Sequence, residues 1–209
     1  MKKNDRAFYL TAILAVLIAA FVTSSGCSGK SAPTRIYLLT SGADPITPVV
    51  YNMEDNRITV GISSVEMPPY LDRPQIVTRM GSNRLNISEF DNWGEPLEET
   101  VYRLVLGNLS TRLYSEKIAV LPWKGRFDMD YQVTLTVTRL DNTPASEAIL
   151  EVRWALLEGD KQLISTRRSV YISPSDSLDY EVFAAAHSQN VDLLCKDIAQ
   201  TIKHQVKAP

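Results

Sequence analysis

Apolar residues recur every three or four positions in two long stretches of the chain, and this spacing predicts two amphipathic helices. The first helix begins after Pro96, and Glu98 and Glu99 favour its N-terminal end through the helix dipole. The second spans residues from about 178 to 207. Their apolar stripes are Leu97, Val101, Val105, Leu109 and Leu113 in the first, and Phe183, Ala186, Val191, Leu194, Ile198 and Ile202 in the second.

Elsewhere apolar and polar residues alternate with a period of two, which predicts strands with one buried and one solvated face. A Gly-Ser-Asn turn at residues 81–83 joins two of these strands as a hairpin. We therefore expect an α+β domain: a mixed, largely antiparallel sheet with both amphipathic helices packed on one face. The predicted strands are 35–39, 57–65, 75–79, 84–90, 117–123, 131–140, 146–157 and 162–172.

The N-terminus has the organisation of a secretory signal, with a charged start, an apolar run of about 16 residues and small residues before Cys27,. The apolar run is shorter than the roughly 20 residues that a membrane-spanning helix needs. A cysteine in this position resembles the lipobox of bacterial lipoproteins, although Ser24 replaces the usual leucine. The resemblance implies palmitate-type acylation of Cys27, and Ser28 after it implies an outer-membrane address. We predict a signal peptide at 1–26, a lipidated tether at 27–34 and a single domain at 35–207.

Charge narrows the choice of partners. The whole chain has a formal net charge of −2, and removal of residues 1–26 makes it about −4, since that segment is mostly basic. An acidic domain of this kind is unsuited to nucleic acid, which requires a basic face. It is equally unsuited to broad electrostatic binding of anionic lipid, so the acyl anchor is expected to hold the protein at its membrane.

The residues that catalysis would require are scarce. His187 and His204 are the only histidines, and both fall on the last helix. His187 precedes Ser188, but neighbouring helical residues point about 100° apart, so a Ser–His pair is unfavourable and we expect a solvated His187. No metal-ligand spacing or glycine-rich phosphate loop occurs. We therefore predict no enzyme, no metal and no cofactor beyond the lipid on Cys27, and we expect Cys195 to be a buried, inert thiol.

A proline-rich stretch at 68–75 has two possible roles. Its prolines limit the entropy lost on docking, and Tyr70, Leu71 and Arg73 are residue types enriched at interfaces,. It is a candidate partner-binding segment on these grounds. The alternative is a rigid turn between strands, in which Asp72 and Arg73 satisfy the local backbone.

A second candidate is Trp93, which lies in the loop before the first helix. Its side chain either packs under the start of that helix or anchors a partner, because large aromatic side chains are frequent hot spots of binding,. The sequence alone leaves both alternatives open.

Taken together, these segments resemble the PqiC family of the YmbA type, also called ABC-type transport auxiliary lipoproteins. The Tyr-Leu-Asp-Arg run followed by Gln-Ile-Val-x-Arg is the most distinctive part. Gly94 departs from the family, in which alanine is more usual. The matching stretches are 36–39, 69–73, 75–79 and 93–97, with Asn108-Leu109, Pro122-Trp123 and Trp154.

The resemblance implies an outer-membrane lipoprotein of an MCE-type (PqiABC-like) intermembrane lipid transport system, which supports envelope integrity. Such a subunit would face the periplasm and bind an MCE-domain protein of the PqiB type, with homo-oligomer formation as a further expectation. Two alternatives stay open: a structural lipoprotein that scaffolds another periplasmic complex, and a soluble-domain lipid carrier with an internal pocket.

Overall fold

Eight strands and two α-helices follow one another from residue 35 onward in a computed structural model that describes residues 13, 32–41, 58–123, 128–143, 145–159, 161–175 and 179–207. Short 3₁₀ helices at Pro69–Leu71 and Tyr114–Glu116 interrupt the series. The elements are β1 Arg35–Tyr37, β2 Ile58–Glu66, β3 Gln75–Gly81, β4 Arg84–Trp93, α1 Leu97–Leu113, β5 Ile118–Pro122, β6 Tyr131–Asn142, β7 Glu147–Glu158, β8 Leu163–Pro174 and α2 Tyr180–Lys207.

The α+β class is confirmed, but the strands form two sheets where we expected one. A three-stranded sheet has the order β1-β4-β3, and a five-stranded sheet has the order β5-β2-β6-β7-β8. The pairs β1–β4, β2–β5 and β2–β6 are parallel, and the other pairs are antiparallel. The division follows from the prolines after β2, which lack the donors a ladder needs and turn the chain into a 3₁₀ helix,.

Both helices contact the five-stranded sheet and each other, so the core lies between them and that sheet. Helix α1 packs on β2 and β5, whereas α2 packs on β7 and β8. Every residue of the two predicted apolar stripes is buried. On β7 the predicted alternation is confirmed between residues 150 and 156, since Leu150, Val152, Trp154 and Leu156 are buried whereas Glu151 and Arg153 are not.

A buried carboxylate fastens β1 to the three-stranded sheet. Asp91 of β4 accepts hydrogen bonds from Arg35 Nε at 2.6 Å, from Tyr37 at 3.1 Å and from Ser88 Oγ at 2.7 Å. Burial by itself raises the pKa of Asp91, but these donors outweigh it and hold the pKa below its ordinary value,. The ionised form of Asp91 therefore contributes to the stability of the fold.

The chain that leaves β1 is attached to both helices. The Thr40 backbone N–H donates to Ser188 Oγ of α2 at 3.0 Å, and Ser41 Oγ donates to Asn108 Oδ1 of α1 at 2.8 Å. Leu39, which precedes them in the chain, is buried. Residues 35–41 are thus fixed to the three-stranded sheet and to both helices.

The chain divides into two compact units, Met1–Pro33 and Thr34–Pro209. Cys27 and the rest of the predicted signal peptide, apart from residue 13, lie outside the described residues. Within the part of the chain that the structure describes, no helix is long and apolar enough to cross a membrane.

Candidate functional site

Two segments that are distant in sequence, 67–74 and 93–99, line one groove of about 680 Å³, which we call the acidic groove. The Trp93 backbone N–H donates to the Pro74 carbonyl at 2.7 Å and holds the segments together. The first segment is stiffened by its prolines, and the Leu71 N–H donates to the Pro68 carbonyl at 2.9 Å. The two stretches singled out in the sequence therefore form a single concave surface.

Apolar side chains from the core form the floor of the acidic groove. Leu71, Trp93 and Leu97 all line it and are themselves largely buried. Trp93 packs against Phe183 of α2, with ring centroids 6.0 Å apart. Trp93 is thus fixed in the core, and only part of its surface is available to a molecule in the groove.

Acidic side chains surround this floor, since Asp72, Glu95, Glu98 and Glu99 all line the groove and are exposed. Glu95 forms an ion pair with Arg103 and accepts a hydrogen bond from Thr100. Among the described residues, Glu98 and Glu99 have no ion-pair partner. The rim of the groove consequently carries uncompensated negative charge.

Arg73 is the one cation that lines the groove among the described residues. Its side chain is partly buried, and its Nε atom is buried without a hydrogen-bond acceptor in the described chain. A buried donor without an acceptor is costly. The part of the Arg73 side chain that is exposed in the groove carries the charge that a bound molecule can meet.

Tyr70 points away from the groove and into the protein. Its hydroxyl lies 3.5 Å from Oδ2 of Asp141, a fully buried carboxylate on β6. Burial raises the pKa of Tyr70, and the charge of Asp141 raises it further. The structure therefore places Tyr70 in a supporting contact, while Leu71, Asp72, Arg73 and Trp93 reach the groove itself.

A second, smaller pocket of about 340 Å³ lies on the other side of the first turn of α1. It shares Glu98 and Glu99 with the acidic groove and adds Tyr102 and Trp123. Sequence reasoning assigned Glu98 and Glu99 only to the helix dipole. Their position between two concavities depends on how β2 and β5 pair, and no local pattern reveals that pairing.

The expectation of a solvated His187 is wrong. His187 is 0% exposed, and its ring meets Phe183 edge-on with centroids 4.5 Å apart. Burial lowers the pKa of His187 to about 3, so the ring is neutral. The error arose because the buried face of α2 is wider than the stripe of aliphatic residues that the sequence shows. His187 lies on this wider face, against Phe183.

Cys195 is buried as expected, and burial raises the pKa of its thiol to about 12. Among the described residues, no group of three or more His, Cys, Asp or Glu side chains is arranged to hold a metal ion. The groove offers carboxylates and a guanidinium over an apolar floor, a set of groups suited to binding by charge and shape.

Comparison with known structures supports the fold. A crystal structure described as an uncharacterized protein has a TM-score of 0.68 at 19% identity, covering 82% of this chain and 99% of that one. Protein XCC0632 from Xanthomonas campestris, of the family DUF330, has a TM-score of 0.62 at 21% identity, covering 79% and 92%. No curated protein sequence matches this chain.

The sequence itself matches the family described as the ABC-type transport auxiliary lipoprotein component over residues 37–199. This range takes in strands β2 to β8, the last residue of β1, both helices apart from the end of α2, and the whole acidic groove. The chain therefore belongs to the family of ABC-type transport auxiliary lipoprotein components.

Proposed function

We propose that this protein is the membrane-anchored docking subunit of an MCE-type intermembrane lipid transport system. Acyl chains on Cys27 hold it at the periplasmic face of the outer membrane, and the acidic groove binds a periplasmic MCE protein of the PqiB type. The protein acts by holding its partner in place. The anchor raises the local concentration of the docking surface, and the groove supplies the specific contact. The family membership supports a transport-auxiliary lipoprotein.

The observation that carries this proposal is the convergence of segments 67–74 and 93–99 on one groove. Proline-stiffened walls lose little entropy on binding, and the largely buried Trp93 and Leu71 form a fixed apolar floor with a small accessible area at the centre,. Exposed carboxylates at the rim steer a cationic partner and exclude an anionic one. We infer that the bound segment of the partner carries lysine or arginine beside an apolar residue.

Capture of the MCE protein by the lipidated subunit tests the groove. The double substitution Glu98→Gln with Glu99→Gln keeps side-chain shape and removes charge, so we expect affinity to fall about tenfold or more. Glu181→Gln is the matched control, because Glu181 also lies in the first turn of a helix but does not line the groove. If the unsubstituted protein, the double variant and Glu181→Gln bind the MCE protein with equal affinity, the groove is not part of the interface.

Arg73 is tested separately by Arg73→Ala against Arg84→Ala, an exposed arginine at the hairpin. We expect weaker capture only from the first variant, since it alone removes a guanidinium group that lines the groove. Tyr70→Phe tests whether the hydroxyl of Tyr70 contributes to binding, because the phenyl ring keeps the packing against the core. We expect capture of the MCE protein to be unchanged, since this hydroxyl points inward.

The anchor is tested by the intact mass of natively processed protein, which must include fatty adducts. Cys27→Ala is expected to release a folded domain from membranes, whereas Cys195→Ala, the other cysteine, is expected to leave it bound. Gentle detergent extraction followed by mass analysis also reports which partner accompanies the subunit and how many copies associate. If natively processed protein carries no fatty adducts, the proposed membrane anchor is wrong.

A further inference from the structure

Two large apolar side chains are exposed side by side at the start of the domain. Ile36 is 59% exposed and Leu38 is 47% exposed. A Cβ atom placed on Gly94 would lie 2.9 Å from Ile36 Cγ2 and 3.0 Å from Leu38 Cδ2, so both side chains converge on this glycine. We call this pair the Ile36–Leu38 patch.

The patch lies on the side of β1 opposite to Arg35 and Tyr37, and the Arg35 side chain is itself 64% exposed. Arg35 reaches the buried carboxylate of Asp91, and Tyr37 packs on Tyr180 with ring centroids 6.0 Å apart. Successive strand residues point to opposite sides, so Ile36 and Leu38 are left on the outer side. Two adjacent exposed apolar side chains of this kind are a candidate contact for another apolar surface,.

The distance along the chain identifies that apolar surface. Ile36 follows Cys27 by nine residues, which span about 30 Å when fully extended,. An acyl anchor on Cys27 therefore keeps the patch close to the lipid headgroups. Met80 is the next large exposed apolar residue among the described part of the domain, far along the sequence.

We infer that the Ile36–Leu38 patch contacts the bilayer surface and orients the domain on its membrane. This inference rests on the acyl anchor of the proposed function, because the patch is too small to hold the protein on its own. The anchor makes the second contact intramolecular, so a small apolar gain is sufficient to select an orientation. Gly94 adjoins the patch and also lines the acidic groove, which places a docked partner next to the membrane.

Site-directed labelling of the natively lipidated, full-length protein tests the contact. Ile36→Cys and Leu38→Cys each receive a nitroxide label, and Ile172→Cys on β8, where the isoleucine is 53% exposed, is the matched control. Cys195 is buried and Cys27 is acylated, so the label goes to the introduced thiol. Vesicles of phosphatidylethanolamine and phosphatidylglycerol provide the membrane, and vesicle flotation verifies attachment.

We expect labels at 36 and 38 to become several-fold more accessible to oxygen than to a nickel chelate when vesicles are added, while the label at 172 does not change. If the protein floats with the vesicles but the labels at 36 and 38 remain exposed to water, the contact is overturned and the anchor is left intact. Labels that are shielded only after the MCE protein is added overturn it in favour of a protein interface. Protein that does not float overturns both the contact and the proposed anchor.

Discussion

Arg79 on β3 and Asp141 on β6 connect two sheets that share no backbone ladder. Arg79 Nη2 donates to Asp141 Oδ2 at 2.9 Å, and Arg79 Nε donates to the same oxygen at 3.0 Å. Arg139 Nε donates to the other carboxylate oxygen at 2.6 Å, and Asp141 is 0% exposed. The final arginine of the family-like Gln-Ile-Val-x-Arg run thus has a structural role.

Asp141→Asn is expected to lower the free energy of unfolding by about 3 kcal/mol, because it leaves two arginines beside a buried site without a compensating charge. Urea denaturation measures the change, with Asp72→Asn as the exposed control, for which we expect less than about 0.5 kcal/mol. Equal denaturation midpoints for both variants would mean that the connection between the sheets contributes little.

His187 makes stability depend on pH. An unfolded chain protonates this residue near pH 6.5, whereas the folded protein resists protonation until about pH 3. The unfolded state therefore binds more protons between these values, and stability is lost as the pH falls from 6.5 towards 3. We expect His187→Leu to flatten this part of the stability curve, measured by urea denaturation at several pH values.

The control for this measurement is His204→Leu, since His204 lies on the same helix but is exposed. Its stability curve is expected to follow that of the unsubstituted protein. If His187→Leu and the unsubstituted protein lose stability in parallel on acidification, His187 is not the group responsible.

Gly159 is required at the end of β7 by a close backbone approach. A Cβ atom there would lie 2.3 Å from the Met129 carbonyl oxygen, and this backbone atom cannot rotate away. We expect Gly159→Ala to destabilise the fold by about 1–3 kcal/mol, seen as a lower melting temperature. Gly81→Ala is the control, because nothing lies within 4 Å of its Cβ position. Similar melting temperatures for the two variants would contradict the close approach.

Cys195 is expected to be unreactive in the folded protein. Burial raises the pKa of its thiol to about 12, and the thiolate is the species that attacks a disulfide reagent,. Natively processed protein should therefore show no reacting thiol at pH 8 and one per chain after unfolding, measured with a chromogenic disulfide. A second thiol that reacts at once in the folded protein would identify an unmodified Cys27.

The helices and most strands could be predicted from the sequence because their periodicity is local. The stripe that ends at Leu113 and the alternation around Trp154 each reflect one buried face. The division into two sheets could not be predicted, since strand partners depend on distant residues. His187 was missed for a related reason: its burial depends on Phe183 and on covering elements outside its own helical stripe.

The two segments of the candidate site could be predicted from the sequence, but the fact that they line one groove could not. The sequence singled out the segments around Arg73 and Trp93, but their union in one groove depends on the contact between Trp93 and Pro74. The inward direction of Tyr70 depends on Asp141, which lies 71 positions away. Both relationships are tertiary, so residue type and spacing carry no sign of them.

The attachment of the start of the domain has a mechanical consequence. A pull on the chain before Arg35 would enter the domain at β1, which is paired in parallel with β4. The backbone bonds of β1, the Arg35–Asp91 pair and the contacts of Thr40 and Ser41 with the two helices would then share the load. Such tension would be distributed between the three-stranded sheet and the two helices.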